Sequence, residues 1–244
     1  MIQTKIFAHR GASAYAPENT MAAFALAMKM GADGVELDVQ LTKDGEVVVV
    51  HDETIDRVSD GSGEVRDYTL KELQRFSFHY KFDSYKGEKI PTLEEVLKLL
   101  YPSGMLVNIE LKTGIYWYEK LEEKVLEIVQ KTGMEERVIY SSFNHCSVQR
   151  IRELAPHAQT AYLYSDVIWH VEEYAKKTGV GGLHPALYHV KMRHFLKEYL
   201  DSGLAVRVWT VNEPEDMREL IKAGVDAVIT NYPDIGLEIR EEEF

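Results

Sequence analysis

The feature that most constrains this chain is a regular alternation of short β-branched runs with amphipathic helical stretches. Strands that follow one another through helices have to pair in parallel, because each crossover needs a dozen or more residues. When the run at residues 47–50 is left aside, eight such strands are predicted, at residues 5–8, 34–41, 105–111, 137–141, 160–163, 180–183, 204–211 and 225–230. Eight parallel strands separated by helices predict an α/β fold, a closed (β/α)8 barrel of the TIM type.

The length and the first strand both favour one barrel. The 244 residues are 45% hydrophobic, which fits a single domain over residues 1–244. The alternative, an open doubly wound sheet, usually has a glycine-rich phosphate loop after its first strand. Here the first strand leads into His9, Arg10 and Gly11, which form no such loop. Helices are predicted at residues 20–30, 117–131, 146–154, 167–177, 191–200 and 213–223, and residues 238–244 are expected to be a solvated end.

Residues 53–90 interrupt the alternation and are rich in charged residues, glycine, tyrosine and serine. We expect an insertion here, on the face of the barrel that carries the active site. One interpretation makes it a lid, and the other makes it an ordinary solvated loop with one helix at residues 70–76. Both interpretations stay open.

The charge balance excludes some partners. A formal net charge of −12 is unfavourable for long nucleic acids and for stable association with anionic membranes. A small anionic substrate stays possible, because a local site can oppose the overall field. The sequence has no run of 18 apolar residues and no recognisable signal peptide. Its single cysteine, Cys146, is expected to be unreactive. These features favour a cytoplasmic location. The oligomeric state is left open.

The second predicted strand, residues 34–41, alternates apolar and polar side chains. Glu36 and Asp38 therefore point to one face, towards the inside of the barrel. Two buried carboxylates cost free energy unless a cation pairs with them. This strand therefore predicts a cation site.

A hairpin is predicted directly after that strand. The pair Asp44-Gly45 favours a two-residue turn in which Lys43 pairs with Glu46. In the same register Asp38 lies opposite His51. The turn therefore predicts that His51 sits beside the carboxylate pair.

Other polar residues fall at the ends of predicted strands, where barrel enzymes place their chemistry. His9 and Arg10 follow the first strand, and Glu110 and Lys112 flank Leu111 at the end of the third. Glu110 and Lys112 could simply form a salt bridge, but this does not explain why the other groups converge at the same end.

This set of residues suits phosphodiester cleavage. Three carboxylates offer only oxygen ligands, which favours one divalent cation, Mg²⁺ or Ca²⁺, with Mn²⁺ also possible. Two histidines can then act as acid and base, and an arginine and a lysine can hold a phosphoryl oxygen. The candidate ligands are Glu36, Asp38 and Glu110, the candidate acid–base pair is His9 and His51, and the candidate phosphate contacts are Arg10 and Lys112.

The motifs together resemble the glycerophosphodiester phosphodiesterase family across about residues 5–235. The blocks that carry the resemblance are His9-Arg10-Gly11, Pro17-Glu18-Asn19-Thr20, Glu36-Leu37-Asp38-Val39, Thr42-Lys43-Asp44-Gly45, His51-Asp52, Glu110-Leu111-Lys112, Ser142-Phe143, Val208-Trp209-Thr210-Val211-Asn212 and Thr230-Asn231-Tyr232-Pro233. The resemblance implies a barrel enzyme that hydrolyses glycerophosphodiesters to glycerol 3-phosphate and an alcohol, with the ligands, histidines and phosphate contacts named above. The family's last motif more often reads Thr-Asp-x-Pro, and we assign no chemistry to Asn231.

Several residues have weaker claims. Trp209 and Phe143 could each pack against the glycerol or alcohol part of the substrate, or belong to the rim of the core. Asn19 is interpreted as the N-cap of the first helix, and Glu18 could support the metal. His184 could line the pocket, and the six remaining histidines outside the acid–base pair are expected at the surface or in loops.

Two other functions remain as alternatives. A lysophospholipase D or other lipid phosphodiesterase would need an apolar entry, which aromatic residues of the insertion could supply. A non-catalytic phosphate-binding barrel would be expected to lack a histidine or a carboxylate of the site, and all five are present. The roles of the two histidines, and attack by the substrate's own hydroxyl or by water, are left open.

Overall fold

Eight parallel strands close into a barrel in the computed structural model, which describes residues 3–243. A ninth strand, β3, pairs antiparallel with β2 outside the barrel, so leaving residues 47–50 out of the barrel was correct. The order around the sheet is β1-β9-β8-β7-β6-β5-β4-β2-β3, and β1 pairs with β2 to close it. The strands are β1 (Lys5–His9), β2 (Gly34–Leu41), β3 (Val47–Val49), β4 (Leu106–Leu111), β5 (Val138–Ser142), β6 (Gln159–Tyr164), β7 (Gly182–Pro185), β8 (Ala205–Val208) and β9 (Ala227–Thr230). The predicted (β/α)8 fold is confirmed.

Helices cover the outside of the barrel. They are α1 (Met21–Met30), α2 (Leu70–Leu73), α3 (Leu93–Leu100), α4 (Leu121–Thr132), α5 (His145–Leu154), α6 (Val171–Lys177), α7 (Leu187–Val190), α8 (Phe195–Asp201), α9 (Pro214–Ala223) and α10 (Pro233–Glu243). Within the described residues, none of these helices combines the length and the apolar character needed to cross a membrane.

Local sequence signals explain where the best-predicted helix begins and ends. The hydroxyl of Thr20 accepts a hydrogen bond from the backbone N–H of Ala23, and Gly31 ends α1 in the left-handed region at φ 80°. The interpretation of Asn19 as the N-cap was wrong by one residue, because Thr20 takes that position. Asn19 itself has φ 57° and turns its side chain towards the barrel.

Three helices, α3, α7 and α10, were not predicted. A capping box of Thr92 and Glu95 starts α3, whose apolar face packs on the outside of the barrel. The end of the chain was expected to be solvated, but α10 packs on the barrel with Ile239 only 4% exposed, while Glu241 and Glu242 remain exposed. Phe244 lies outside the described residues. The predicted helix at residues 191–200 corresponds to α8, which begins four residues later, and β7 begins two residues later than predicted.

The strands bury side chains on both faces. Outward side chains of β2 and β4 pack against α1, α3 and α4, and those of β6, β8 and β9 pack against the later helices. Inside, Phe7 packs with Ile139, Ala161 and Ile229 below the active-site end. Burying one such side chain contributes about 1.5–3 kcal/mol. Gly34 leaves room for Phe7, since a Cβ there would lie 2.8 Å from the Phe7 ring.

The segment between β3 and α3 has a small core of its own. Val50, Ile55, Leu73, Phe78 and Ile90 are buried there. Its one α-helix, α2, is shorter than the predicted helix at residues 70–76. Because β3 ends opposite Val39 of β2, the segment starts beside the active-site residues described below.

Candidate active site

Polar side chains gather where β1, β2 and β4 end. Parallel pairing places His9 beside Glu36 and Asp38 beside Glu110. All four point into the barrel because they alternate with outward apolar residues. Three of them line a cavity of about 190 Å³, whose wall consists of His9, Arg10, Glu36, His51, Asn108, Glu110, Phe143, Leu163, Trp209 and Ile229.

The three predicted metal ligands form one buried cluster. Glu36, Asp38 and Glu110 each offer an oxygen, and these atoms lie within 4.8 Å of one another. Burial, with Asp38 and Glu110 as neighbours, raises the pKa of Glu36 well above its usual value. Oδ1 of Asp38 is buried without a hydrogen-bond partner. Buried negative charge with an unpartnered oxygen fits a divalent cation, and the cluster could bind one.

Two cationic side chains flank this cluster. Nε of Arg10 lies 3.4 Å from Oδ2 of Asp38, and Nη1 donates to Glu18 at 2.8 Å. Burial alone would raise the pKa of Asp38, but Arg10 and His51 hold it below its usual value. Nζ of Lys112 lies 3.0 Å from Oε1 of Glu110, so the expected salt bridge forms within the site itself.

The first histidine is held by an amide. Nδ1 of His9 lies 2.7 Å from Oδ1 of Asn231, and Nε2 lies 3.8 Å from Oε2 of Glu36. An amide oxygen only accepts, so Nδ1 carries the proton and Nε2 is free of one. Burial, together with Arg10, lowers the pKa of His9 to about 4. Asn231, to which we assigned no chemistry, therefore contacts a site residue directly. The backbone N–H of Asn231 donates to Oδ1 of Asn212.

The hairpin prediction was correct in outcome but wrong in register. Val39 pairs with Val49, so Val50 rather than His51 lies opposite Asp38. The turn holds three residues instead of two. Thr42 and Glu46 bond across it, and Gly45 takes φ 80°.

His51 reaches the cavity because the chain leaves the hairpin at that point. The side-chain amide of Gln40 donates to the carbonyls of Val50, His51 and Asp52 at 3.2, 3.0 and 2.8 Å. These bonds turn His51 towards the site, where its Nδ1 lies 2.6 Å from Oδ1 of Asp52. The two histidines therefore differ in their Nδ1 partner, which is an amide for one and a carboxylate for the other.

Two residues that contact the site were not predicted from the sequence. The Asn19 amide donates to Oδ2 of Asp38 at 2.8 Å, and Asn19 is 3% exposed. Arg57 binds Glu18 and Asp52 together. Glu18, which could support the metal, bonds to Arg10 and Arg57. Arg57 lies in an irregular segment, so no periodicity in the sequence indicates its position. Asn19 precedes a predicted helix, and its residue type is equally typical of an N-cap.

The opposite wall of the cavity is apolar. Trp209 and Phe143 line it and meet edge to face, with ring centroids 5.5 Å apart. The Trp209 indole N–H donates to the carbonyl of His184 at 2.7 Å, which fixes the ring at the rim. His184 does not line the cavity as expected, since it is fully buried beside Arg207. His189 was expected at the surface and is also buried.

The barrel mouth therefore has two halves. We name the ends of β1, β2 and β4 with residues 50–57 the charged arc, and the ends of β5 to β8 with their following loops the apolar arc. The apolar arc exposes large hydrophobic side chains and has a groove of about 310 Å³ that shares Trp209 with the cavity. These side chains are Phe143 (38% exposed), Val167 (49%), Trp169 (85%), Tyr188 (49%) and Met192 (40%).

Comparisons with known proteins identify the family of the chain. Residues 9–235 match the model of the glycerophosphoryl diester phosphodiesterase family. The chain belongs to this family. It is an enzyme, a hydrolase of phosphoric diester bonds, as the resemblance implied. A glycerophosphodiester phosphodiesterase of Caldanaerobacter subterraneus subsp. tengcongensis is 44% identical over 96% of both chains, and one of Bacillus altitudinis is 43% identical over 98% of this chain and 99% of its own.

The fold is also similar to solved structures. A phosphodiesterase from Oleispira antarctica, determined in complex with the product sn-glycerol-3-phosphate, superposes with a TM-score of 0.87. It is 29% identical, and the match covers 98% of each chain. A glycerophosphodiester phosphodiesterase from Thermotoga maritima is 31% identical with a TM-score of 0.81, covering 97% of this chain and 98% of its own.

Proposed function

We propose that this enzyme hydrolyses glycerophosphodiesters to glycerol 3-phosphate and an alcohol, using one divalent cation and the histidines His9 and His51. The observation that carries the proposal is the convergence of both histidines and the buried carboxylate cluster on one cavity of about 190 Å³. A cavity of this size suits a glycerophosphoryl group better than a drug-sized ligand.

Glu36, Asp38 and Glu110 would hold the cation. An all-oxygen ligand set favours Mg²⁺ or Ca²⁺, with Mn²⁺ also possible. When bound, the ion would neutralise charge on a phosphoryl oxygen and orient the group for attack. The unpartnered Oδ1 of Asp38 supports this assignment.

Arg10 and Lys112 would bind the phosphoryl oxygens. Nε of Arg10 is buried without a hydrogen-bond partner, so it can donate to a phosphate oxygen without breaking an existing bond. Each cation already faces a carboxylate, Asp38 or Glu110, which keeps it pointed into the site. Trp209 would pack against the alcohol or glycerol part from the opposite wall.

The Nδ1 partners suggest different roles for the two histidines. His9 has a bare Nε2 and would take the proton from the attacking hydroxyl, either the substrate's own glycerol hydroxyl or water. As the new P–O bond forms, the bond to the alcohol breaks, and His51 would protonate the departing oxygen. A carboxylate on Nδ1 of His51 stabilises the imidazolium that this step requires. If a cyclic phosphate forms, water opens it with the roles exchanged.

The first test is the release of glycerol 3-phosphate from glycerophosphocholine by the purified protein. We expect no release with EDTA and restored release with Mg²⁺, Ca²⁺ or Mn²⁺. A folded protein that releases no product with any of the three ions contradicts the proposal.

The apolar arc supports a second candidate, hydrolysis of single-chain lipid phosphodiesters in the manner of a lysophospholipase D. Among the aromatic residues of the insertion, Phe78 is buried, whereas Tyr80 is 36% exposed. The exposed Trp169 and Tyr188 do offer an apolar surface beside the cavity. Release of choline from a 1-acyl lysophospholipid, measured beside release from glycerophosphocholine, tests this candidate.

The organisation of the chain and its setting complete the proposal. We propose one barrel domain over residues 1–244, with residues 53–90 as an insertion on the active-site face; the bonds of Arg57 to Glu18 support this placement. A small-molecule substrate, no nucleic-acid partner and no stable association with membranes are consistent with the net charge of −12. A cytoplasmic location is supported by the single cysteine.

A further inference from the structure

Arg57 holds two carboxylates at once. Its Nη1 and Nη2 donate to the two oxygens of Glu18 at 2.7 and 2.8 Å. Its Nε and Nη2 donate to the two oxygens of Asp52 at 2.7 and 3.2 Å. All three guanidinium nitrogens are therefore engaged, in the forked geometry that only arginine can provide.

Each of these carboxylates holds a different site residue. Oδ1 of Asp52 meets Nδ1 of His51 at 2.6 Å. Oε1 of Glu18 accepts from Nη1 of Arg10 at 2.8 Å. Arg57 is thus two contacts away from both His51 and Arg10, although it touches neither.

We propose that Arg57 is a positioning residue that fixes the orientation of His51 through Asp52 and of Arg10 through Glu18. This inference rests on the proposed function, in which His51 protonates the leaving alcohol and Arg10 binds phosphate. It also gives a role to the start of the insertion, which carries Arg57. This segment completes the site because Arg57 connects the carboxylate beside Arg10 to the carboxylate beside His51.

The geometry explains what removal of Arg57 would change. Glu18 would lose both bonds to Arg57 and could take a second bond from Arg10, drawing that guanidinium away from the phosphate. Asp52 would lose two of its three hydrogen bonds, so the ring of His51 would no longer be held in one orientation. A misplacement of about 1 Å can cost roughly 100-fold in rate.

A merely structural ion pair would behave differently. The Arg57 side chain is 37% exposed, and exposed ion pairs contribute little to stability. Positioning therefore predicts a large loss of activity with a small change in melting temperature. A structural role predicts a small change in both.

The test compares R57A, R57K and the control R66A at saturating metal. Arg66 is another arginine of the insertion, 44% exposed, and it pairs with Glu64 instead of Glu18 or Asp52. Two substrates are used, glycerophosphocholine and the glycerol phosphodiester of p-nitrophenol. A p-nitrophenolate leaving group needs little protonation, so defects that act through His51 should shrink with it, whereas defects in phosphate binding should remain.

We expect R57A to lose about 30-fold in kcat/KM on glycerophosphocholine and only about 5-fold on the p-nitrophenyl ester, as part of a general-acid contribution of about 10²–10⁴. R57K should fall between R57A and the wild type, and R66A should match the wild type. Equal losses on the two substrates, or an R57A that behaves like R66A, overturns the inference while leaving the proposed function intact. A wild type that turns over neither substrate overturns the proposed function and this inference together.

Discussion

The two arcs of the barrel mouth use the same architecture for different purposes. In the charged arc, ionisable side chains from the ends of β1, β2 and β4 lie within a few ångströms of one another and form ion pairs. In the apolar arc, side chains from the loops after β5 to β8 are exposed and form few polar contacts. The charged arc is therefore suited to one chemical step, and the apolar arc to recognising whatever is attached to the phosphate.

This difference leads to a simple expectation. Changes in the charged arc should reduce turnover of every substrate. Changes in the apolar arc should alter the preference between substrates and leave the chemistry itself intact.

The largest expected effect follows from removing a histidine of the charged arc. His9→Ala and His51→Ala should each lower kcat on glycerophosphocholine by about 10³-fold, within the range of about 10²–10⁴ for general acid–base catalysis. The exposed His157 provides the control, since His157→Ala should leave kcat unchanged. Steady-state kinetics with the three variants gives the answer, and full turnover by His9→Ala would exclude the histidine-pair mechanism.

A smaller effect is expected from the amide that holds His9. Asn231→Ala removes the acceptor for Nδ1, so the ring can adopt the unreactive tautomer, and kcat should fall about 10-fold or more. Asn231→Asp keeps an oxygen acceptor in the same place and should retain most of the activity. Equal losses in both variants would show that Asn231 does not act through the tautomer of His9.

The apolar arc should respond selectively. Trp169→Ala and Tyr188→Ala should raise KM for a 1-acyl lysophospholipid by about 3–10-fold, because each removes exposed apolar surface worth roughly 1 kcal/mol of contact. Kinetics on glycerophosphocholine should be unchanged in the same variants. The matched control is the exposed Tyr101, which follows α3 and precedes the amino end of β4, away from the barrel mouth. If both substrates suffer equally, the division into two arcs is wrong.

The smallest effect concerns stability without metal. Burial beside two other carboxylates raises the pKa of Glu36 in the folded state, so the folded protein binds this proton more tightly than the unfolded chain. Stability contributed by Glu36 is therefore present below about pH 4.5 and is lost as the pH rises through the folded-state pKa. Glu36→Gln should melt at a higher temperature than the wild type in EDTA, with a gap of a few degrees that widens from about pH 4.5 upwards. Thermal melts across pH measure this gap, and a gap that narrows with pH contradicts the account.

The sequence predicted the charged arc better than its surroundings, and the reason is physical. Strand alternation alone places Glu36 and Asp38 on one face, and parallel register brings Glu110 beside them. The hairpin rule found His51 with the wrong turn length, because Thr42 and Gly45 make a three-residue turn that the Asp-Gly pair does not distinguish from a two-residue one.

Residues held by irregular backbone escaped prediction. Arg57 and Asn19 reach the site through loops whose path depends on packing elsewhere, so no spacing rule connects them to their partners. Asn231 lies at the end of the last strand, and only closure of the barrel between β1 and β9 brings it to His9. Of the apolar arc only Phe143 and Trp209 were named from the sequence, because the other exposed residues lie on loops or on the short helix α7.

The central claim is that the carboxylates of the charged arc hold one catalytic cation beside the two histidines. The most direct test titrates Mn²⁺ or Mg²⁺ into EDTA-treated wild type, Asp38→Asn and Glu172→Gln while release of glycerol 3-phosphate is followed. Glu172 belongs to the other cluster of possible metal ligands among the described residues, at the start of α6. We expect the wild type and Glu172→Gln to recover activity with the same metal dependence, and Asp38→Asn to recover little even at high metal concentration. Recovery of Asp38→Asn at the same metal concentration as the wild type would contradict the claim.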